Sequence, residues 1–289
     1  MTQRNPMFGE GQDLSLPVPN QAQQSDSTGG EIPGMLIPLP TRGLLYPVNH
    51  PLHKKDDIAI RPMSTRQEDI LSSRALIKKG TVMNELIKSC VLDSRIEVPK
   101  LISGDRMALM VGIRISGYGV EYSPIVKCGD PECGQSKERS MDLSKLVCKY
   151  IEIEPIAPGM NAFTFKLPVS KKTVTFKFAT GLDEDELVQT AEKKKSLGLG
   201  EDNLVTTKLL QSIVALDGNP DRGEISRFVS SMPALDSLKL RQHIEDNEPG
   251  IDMTQETECP VCGNVEEVSM PIDVSFFWPS ARRQSRRRS

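Results

Sequence analysis

Four of the six cysteines stand in two short pairs that could bind a metal ion. The pairs are Cys128-Gly-Asp-Pro-Glu-Cys133 and Cys259-Pro-Val-Cys262. Both spacings fall in the range of structural zinc sites, because a short loop lets two thiolates point at one ion. Four thiolates complete a tetrahedral shell and leave no open position for chemistry. The sequence therefore predicts one structural zinc ion held by Cys128, Cys133, Cys259 and Cys262.

The surroundings of the two pairs resemble each other. A glycine, Gly134 or Gly263, follows the second cysteine of each pair and permits the positive φ that such a turn often needs. Ser140-Met141 and Ser269-Met270 lie at the same distance beyond the pairs. We expect two similar hairpins, the first knuckle over residues 120–148 and the second over 256–275, to face each other as a zinc ribbon.

Two other interpretations of the pairs stay open. Cys259 and Cys262 could form a redox dithiol, but that chemistry favours a helix N-terminus, and the following Val265-Glu-Glu-Val268 favours a strand. The pairs could also be unrelated free thiols. Cys90 and Cys148 have no partner at ligand spacing, and we expect both to pack in the core.

The composition describes a globular chain in a reducing compartment. The 289 residues carry a formal net charge of −3, without the basic excess of a phosphate-binding protein. Six cysteines are too few for a disulfide scaffold, and we expect no secretion signal and no membrane span. No nucleophile is paired with a base, so we predict a protein without catalytic residues. The three histidines are expected to be exposed to solvent: His50, His53 and His243.

The elements that must position the cysteines are predicted to form an α+β fold over residues 35–279. Helical blocks are expected at about 64–117 and 183–247, with a β-hairpin at 161–179 between them. Alternating phenylalanines give the hairpin one buried face. Residues 1–34 have the composition of a disordered tail, and residues 280–289 form an arginine-rich tail.

Apolar periodicity gives the helix boundaries. Ser64 and Gln67 form a capping-box pattern that begins a helix expected to run to about Ile77. A helix over 105–116 is apolar nearly all round, which is typical of a buried helix. Further helices are predicted at 202–216, 223–231 and 234–246. The proline-rich segment 37–47 is expected to be an extended arm on the surface of its own domain or of a partner.

The C-terminal end carries two features that could bind partners. Phe276, Phe277 and Trp278 are consecutive, and at least one is expected to project beyond its own backbone segment, either into the core or onto a partner. Beyond them lie five arginines in eight residues. This tail is either a solvated terminus or a contact for nucleic acid or an acidic partner.

The order of motifs along the chain resembles a known protein family. Pro40-Thr-Arg-Gly-Leu-Leu-Tyr46-Pro is followed by Arg114-Ile-Ser-Gly-Tyr-Gly, the first cysteine pair, Leu167-Pro168, Thr180-Gly-Leu-Asp-Glu, the second cysteine pair and Phe276-Phe277-Trp278. Over about residues 36–279 this order is similar to that of the baseplate hub proteins, or hub assembly chaperones, of T-even-type contractile-tailed bacteriophages.

The resemblance implies a non-enzymatic role in building the central hub of the tail baseplate through contacts with other tail proteins. It places the protein in the host cytoplasm during assembly and, if it stays in the particle, in the tail baseplate. A zinc-ribbon protein that binds nucleic acid through the arginine tail is the alternative. Transient chaperone and permanent virion component both stay open.

Overall fold

The fold contains helices and small antiparallel sheets, as the sequence predicts. The structure is a computed structural model that describes residues 34–196, 204–270 and 272–278. The predicted tails over 1–34 and 280–289 therefore lie outside it, except for Gly34. The α-helices of the described residues are α1 (Thr65–Ser72), α2 (Arg74–Lys79), α3 (Val82–Cys90), α4 (Ser103–Tyr118), α5 (Gly181–Ser196), α6 (Leu204–Ser212), α7 (Arg222–Ser231) and α8 (Ala234–Asn247).

The strands are short, and every pairing among them is antiparallel. They are β1 (Met35–Pro38), β2 (Asp57–Ile60), β3 (Glu121–Tyr122), β4 (Ile125–Lys127), β5 (Ser136–Glu138), β6 (Met141–Asp142), β7 (Val147–Lys149), β8 (Phe163–Lys166), β9 (Thr173–Phe176), β10 (Ile213–Leu216), β11 (Gly250–Asp252), β12 (Thr254–Glu258) and β13 (Val265–Ser269). The pairs are β1–β2, β3–β6, β4–β5, β7–β11 and β12–β13, and β8, β9 and β10 form a three-stranded sheet.

Helix α4 lies at the centre of the hydrophobic core. It contacts β1 and β11, and its apolar residues are buried, apart from the half-buried Met107 and Met110, close to what the sequence predicts. A Cβ at Gly112 would lie 2.3 Å from the Cδ1 atom of Ile37, so only glycine admits this approach of β1. The helix ends at Gly119, whose φ of 76° leaves the helical region.

The proline-rich segment packs into its own domain, which decides the alternative that the sequence leaves open. The prediction of an extended arm is wrong beyond β1, because residues 40–45 form turns with a positive φ at Arg42 and Gly43. The anchor of the segment is Asp105 in α4, which is fully buried. The Asp105 carboxylate accepts hydrogen bonds from the Thr41 N–H at 3.0 Å, the Thr41 hydroxyl at 2.6 Å and the Tyr46 hydroxyl at 2.6 Å. Burial raises the pKa of Asp105 to about 6, although these three hydrogen bonds act in the opposite direction.

Asp105 should make the stability of the fold depend on pH. Its pKa is higher in the folded chain than in the unfolded chain, so the folded state binds the Asp105 proton more tightly. The stability that this proton gives to the folded state is fully present below about pH 4 and is lost as pH rises through about 6. The difference of roughly two units between the folded and unfolded pKa values corresponds to a loss of about 3 kcal/mol in the free energy of unfolding. Asp105→Asn cannot ionise and should lose that part of the decline in unfolding free energy between pH 4 and pH 7. Urea unfolding across this range measures it, and an unchanged slope in the variant would contradict this role for Asp105.

Two predicted helices are wrong in their boundaries. The helix over 64–77 is two helices, because Ser73 takes an extended ψ of 103° between α1 and α2. The helix over 202–216 ends at Ser212, and Ile213–Leu216 is strand β10, paired with β9. Ile213 and Val214 are β-branched, and the positive φ of Asp217 and Gly218 turns the chain there, which favours a strand over a helix.

The histidines are less exposed than the sequence predicts. All three are half-buried. The His50 ring stacks on Tyr46 at 4.5 Å, and His53 Nδ1 lies 2.6 Å from the Tyr46 carbonyl oxygen. The His243 ring stacks on Phe165 at 4.4 Å. The rings of His50 and His243 each cover an aromatic neighbour, and His53 hydrogen-bonds to a backbone carbonyl, so none of the three is a freely solvated side chain.

Candidate metal centre

The first knuckle is a hairpin whose turn carries Cys128 and Cys133. Strands β4 and β5 hold its base, and the Cys128 N–H donates to the Gln135 carbonyl at 2.9 Å. The Gly134 N–H donates to the Asp130 carbonyl at 2.9 Å. Gly134 has a φ of 52°, as predicted for the residue that follows the second cysteine.

The second knuckle repeats this geometry between β12 and β13. The Cys259 N–H donates to the Asn264 carbonyl at 2.8 Å, and the Gly263 N–H donates to the Cys259 carbonyl at 2.9 Å. Gly263 has a φ of 75°. Each turn is thus closed by its own backbone hydrogen bonds, which keeps the two cysteines of a pair close together.

The structure brings the four thiols together across more than a hundred residues of chain. The sulfur atoms of Cys128 and Cys262 are 3.7 Å apart, those of Cys133 and Cys259 are 3.9 Å apart, and all four lie within 4.8 Å of one another. A tetrahedral shell with metal–sulfur distances of about 2.3 Å has sulfur–sulfur edges of about 3.8 Å. The four-cysteine cluster, formed by Cys128, Cys133, Cys259 and Cys262, therefore has the dimensions of a tetrahedral metal site.

Backbone N–H groups prepare one thiol of the cluster for ionisation. Hydrogen bonds from the N–H groups of Cys262 and Val261 lower the pKa of Cys259 to about 6. The Asn264 N–H acts in the same direction on Cys262, but desolvation and the three neighbouring thiols outweigh it and raise the pKa of Cys262 to about 12. Since adjacent thiolates repel one another, all four ionise together only around a cation.

Comparison with known families decides where this chain belongs. The model of a family described as T4 bacteriophage base plate protein matches residues 46–278. The chain belongs to this family. No curated protein and no solved structure shows a significant match to the chain.

Membership makes the chain a structural phage baseplate protein and places it in the virion tail baseplate. The matched region includes the whole four-cysteine cluster. Among the described residues of this baseplate protein, no helix is long and apolar enough to cross a membrane.

An ion pair between the knuckles was not predicted from the sequence. Arg139, which follows β5, reaches into the second knuckle and lies 2.5 Å from Glu266 Oε1 in β13. Burial alone would lower the pKa of the Arg139 guanidinium, but Glu266 and the thiols of Cys259 and Cys128 raise it. No spacing rule connects these residues to the cysteines, so only the folded pairing of the knuckles identifies them.

The remaining cysteines stand apart from the cluster, as predicted. Cys90 is fully buried in α3, and burial raises the pKa of its thiol to about 11. Cys148 in β7 is half-buried and packs against the core, and burial again raises its pKa to about 11. Both thiols are therefore neutral packing groups at physiological pH.

The aromatic run at the C-terminal end of the described chain divides into core and surface. Phe276 and Phe277 are both 0 % exposed. The Phe276 ring meets the Tyr122 ring edge-on at 5.1 Å, and its carbonyl accepts a hydrogen bond from Arg114 Nε at 3.0 Å. Trp278 is half-buried and packs against the core. Of these three aromatic residues, Trp278 is the one whose side chain is partly open to a partner.

Proposed function

We propose that this baseplate protein acts in assembly of the central hub of the tail baseplate. It does so through contacts with other tail proteins and without catalysis. The family supports the baseplate role, and the motif order over residues 36–279 supports the hub. The protein is made in the host cytoplasm and meets its hub partners there before the tail is complete.

The same proposal assigns one structural zinc ion to the four-cysteine cluster. Thiolate-only tetrahedral sites select zinc or iron among the common metals. Zinc has no redox chemistry and holds four cysteines as a closed, purely structural shell. The observation that carries this assignment is the mutual distance of the four sulfur atoms, 3.7 Å and 3.9 Å for the two cross-knuckle pairs.

The metal would join two parts of the chain that lie far apart in sequence. Between the knuckles run the hairpin β8–β9 and helices α5 to α8. A cation that holds both knuckles therefore closes a loop of more than a hundred residues, in addition to the β7–β11 pairing and the Arg139–Glu266 ion pair that already join the ends of this loop. The ribbon would give the hub protein a fixed shape for its partners.

Trp278 is the proposed contact point for a hub partner. Large aromatic side chains dominate the binding energy of protein interfaces, and this one is half-buried beside a firmly packed Phe277. In cells infected with a phage that lacks this gene, wild-type protein supplied in trans should restore complete baseplates. Trp278→Ala should restore roughly thirtyfold fewer, since hot-spot losses are on the order of 2 kcal/mol, which is about a thirtyfold fall in affinity. Electron microscopy of the lysates counts the baseplates.

Two outcomes would contradict this proposal. If complete baseplates form without the protein, it has no role in assembly. If Trp278→Ala restores as many baseplates as the wild type, partner contact does not use Trp278. A chain that lacks residues 282–289 is the matched control and should assemble normally. A nucleic-acid-binding protein would instead lose affinity on that deletion, and its binding would weaken steeply with salt.

A further inference from the structure

The two knuckles are joined by polar contacts that do not involve the cysteines. Arg139 of the first knuckle donates from Nη2 to Glu266 Oε1 at 2.5 Å and from Nη1 to Thr257 Oγ1 at 2.9 Å. Thr257 and Glu266 face each other across β12 and β13. The Arg139 side chain is 1 % exposed and that of Glu266 is 23 % exposed. The guanidinium therefore lies inside the junction and holds both strands of the second knuckle.

Glu266 of the second knuckle also contacts the first knuckle, at the residue next to Cys128. Its two carboxylate oxygens lie 3.1 Å and 3.0 Å from the Gly129 nitrogen and accept that N–H. Gly129 directly follows Cys128. A Cβ at position 129 would lie 2.4 Å from Glu266 Oε2, so a glycine is needed for the carboxylate to reach this N–H. The loop that carries Cys128 is thus set by a carboxylate from the other knuckle.

The charges of Arg139 and Glu266 cancel each other, so the pair leaves the net charge around the four thiols unchanged. A divalent cation with four thiolates has a net charge of −2; the guanidinium places a positive charge near it, and Glu266 adds an equal negative charge. A buried ion pair adds little net stability because desolvation cancels most of its attraction, but it fixes geometry strictly. Groups just outside a metal shell orient the ligands and raise the affinity for the metal.

We propose that Arg139 is a positioning residue for the metal site, acting through Glu266 to align the two knuckles before the metal binds. This inference rests on the proposed metal site. In this role, Arg139 and Glu266 hold the two knuckles together before the metal arrives, so that the four cysteines are preorganised as ligands. Neither residue is itself a metal ligand. Glu266 hydrogen-bonds to the Gly129 N–H and to the Cys128 side chain, and Arg139 holds Glu266 and Thr257 on the two strands of the second knuckle.

Metal affinity in the full chain tests this role, measured by competition between the protein and a chromophoric chelator for Zn²⁺. Arg139→Met removes both hydrogen bonds and should bind Zn²⁺ about 10- to 100-fold more weakly. Gly129→Ala displaces the Glu266 carboxylate without changing any charge and should weaken binding by about tenfold. Arg139→Lys keeps the charge and one hydrogen bond and should restore part of the affinity. Arg95→Met, which breaks the exposed ion pair with Asp93, is the matched control and should bind like the wild type.

The absorption spectrum of the Co²⁺-loaded protein distinguishes a positioning residue from a metal ligand. All variants loaded with Co²⁺ should keep the absorption spectrum of a tetrahedral four-thiolate site, because no ligand is changed. Unchanged Zn²⁺ affinity in both Arg139→Met and Gly129→Ala, with a wild type that binds tightly, would overturn the positioning role and leave the metal site standing. A wild type that binds neither metal would overturn both. If Arg139→Met fails to fold, Gly129→Ala and Arg139→Lys give the same decision.

Discussion

A Cys259→Ser variant is expected to lose its metal and several kcal/mol of unfolding free energy. Cys259 is 1 % exposed, and serine at this position leaves a three-thiolate shell. Structural zinc sites contribute apparent binding free energies of about 10–16 kcal/mol in small peptides, whereas whole domains are stable by only about 5–15 kcal/mol. The knuckles should separate and expose apolar surface, although the helices keep part of their structure. Metal content and urea unfolding of the purified variant measure both effects.

Cys148→Ser is the matched control for this prediction. Cys148 is half-buried and outside the four-cysteine cluster, so the variant should keep its metal and nearly all its stability. Cys128→Ser, Cys133→Ser and Cys262→Ser should each behave like Cys259→Ser, because one missing thiolate opens the shell wherever it lies. A Cys259→Ser protein that retains a full equivalent of tightly bound metal would contradict the four-thiolate site.

A Phe276→Ala variant is expected to lose about 3–5 kcal/mol of unfolding free energy, the usual cost of removing a buried phenylalanine ring. Phe276 is 0 % exposed and contacts Tyr122 and Phe277 through its ring. The cavity would also loosen the segment whose carbonyl accepts from Arg114. For a domain of this size the change corresponds to a fall in Tm of roughly 10 °C. Thermal unfolding followed by circular dichroism measures it.

The comparison variant is Trp278→Ala, which should cost less than about 2 kcal/mol because Trp278 is only half-buried. Its main effect is expected on baseplate assembly instead of stability. If Phe276→Ala proved as stable as the wild type, the assignment of Phe276 to the core would be wrong.

The metal cluster and the central helix could be predicted from the sequence because both depend on local spacing. A loop of two or four residues between cysteines leaves few ways to arrange the thiols, and the glycines that follow require the turns observed at 134 and 263. Helix α4 is apolar nearly all round, which is typical of a buried helix. The hairpin β8–β9 followed from the alternation of phenylalanines.

Features that depend on tertiary partners could not be predicted in the same way. Strand β10 continues directly from α6, and only the free edge of β9 decides that Ile213–Leu216 is extended. The burial of Phe276 and Phe277 depends on α4 and Tyr122, which lie more than 150 residues earlier in the chain. Arg139 meets Glu266 only because the two knuckles face each other.

The most direct test of the central claim is the metal content and ligand set of the wild-type protein, purified in the absence of chelator. Elemental analysis should find one zinc per chain, and X-ray absorption at the zinc edge should find four sulfur neighbours at about 2.3 Å. A protein with the described fold but without metal, or a metal bound by nitrogen or oxygen ligands, would contradict the account.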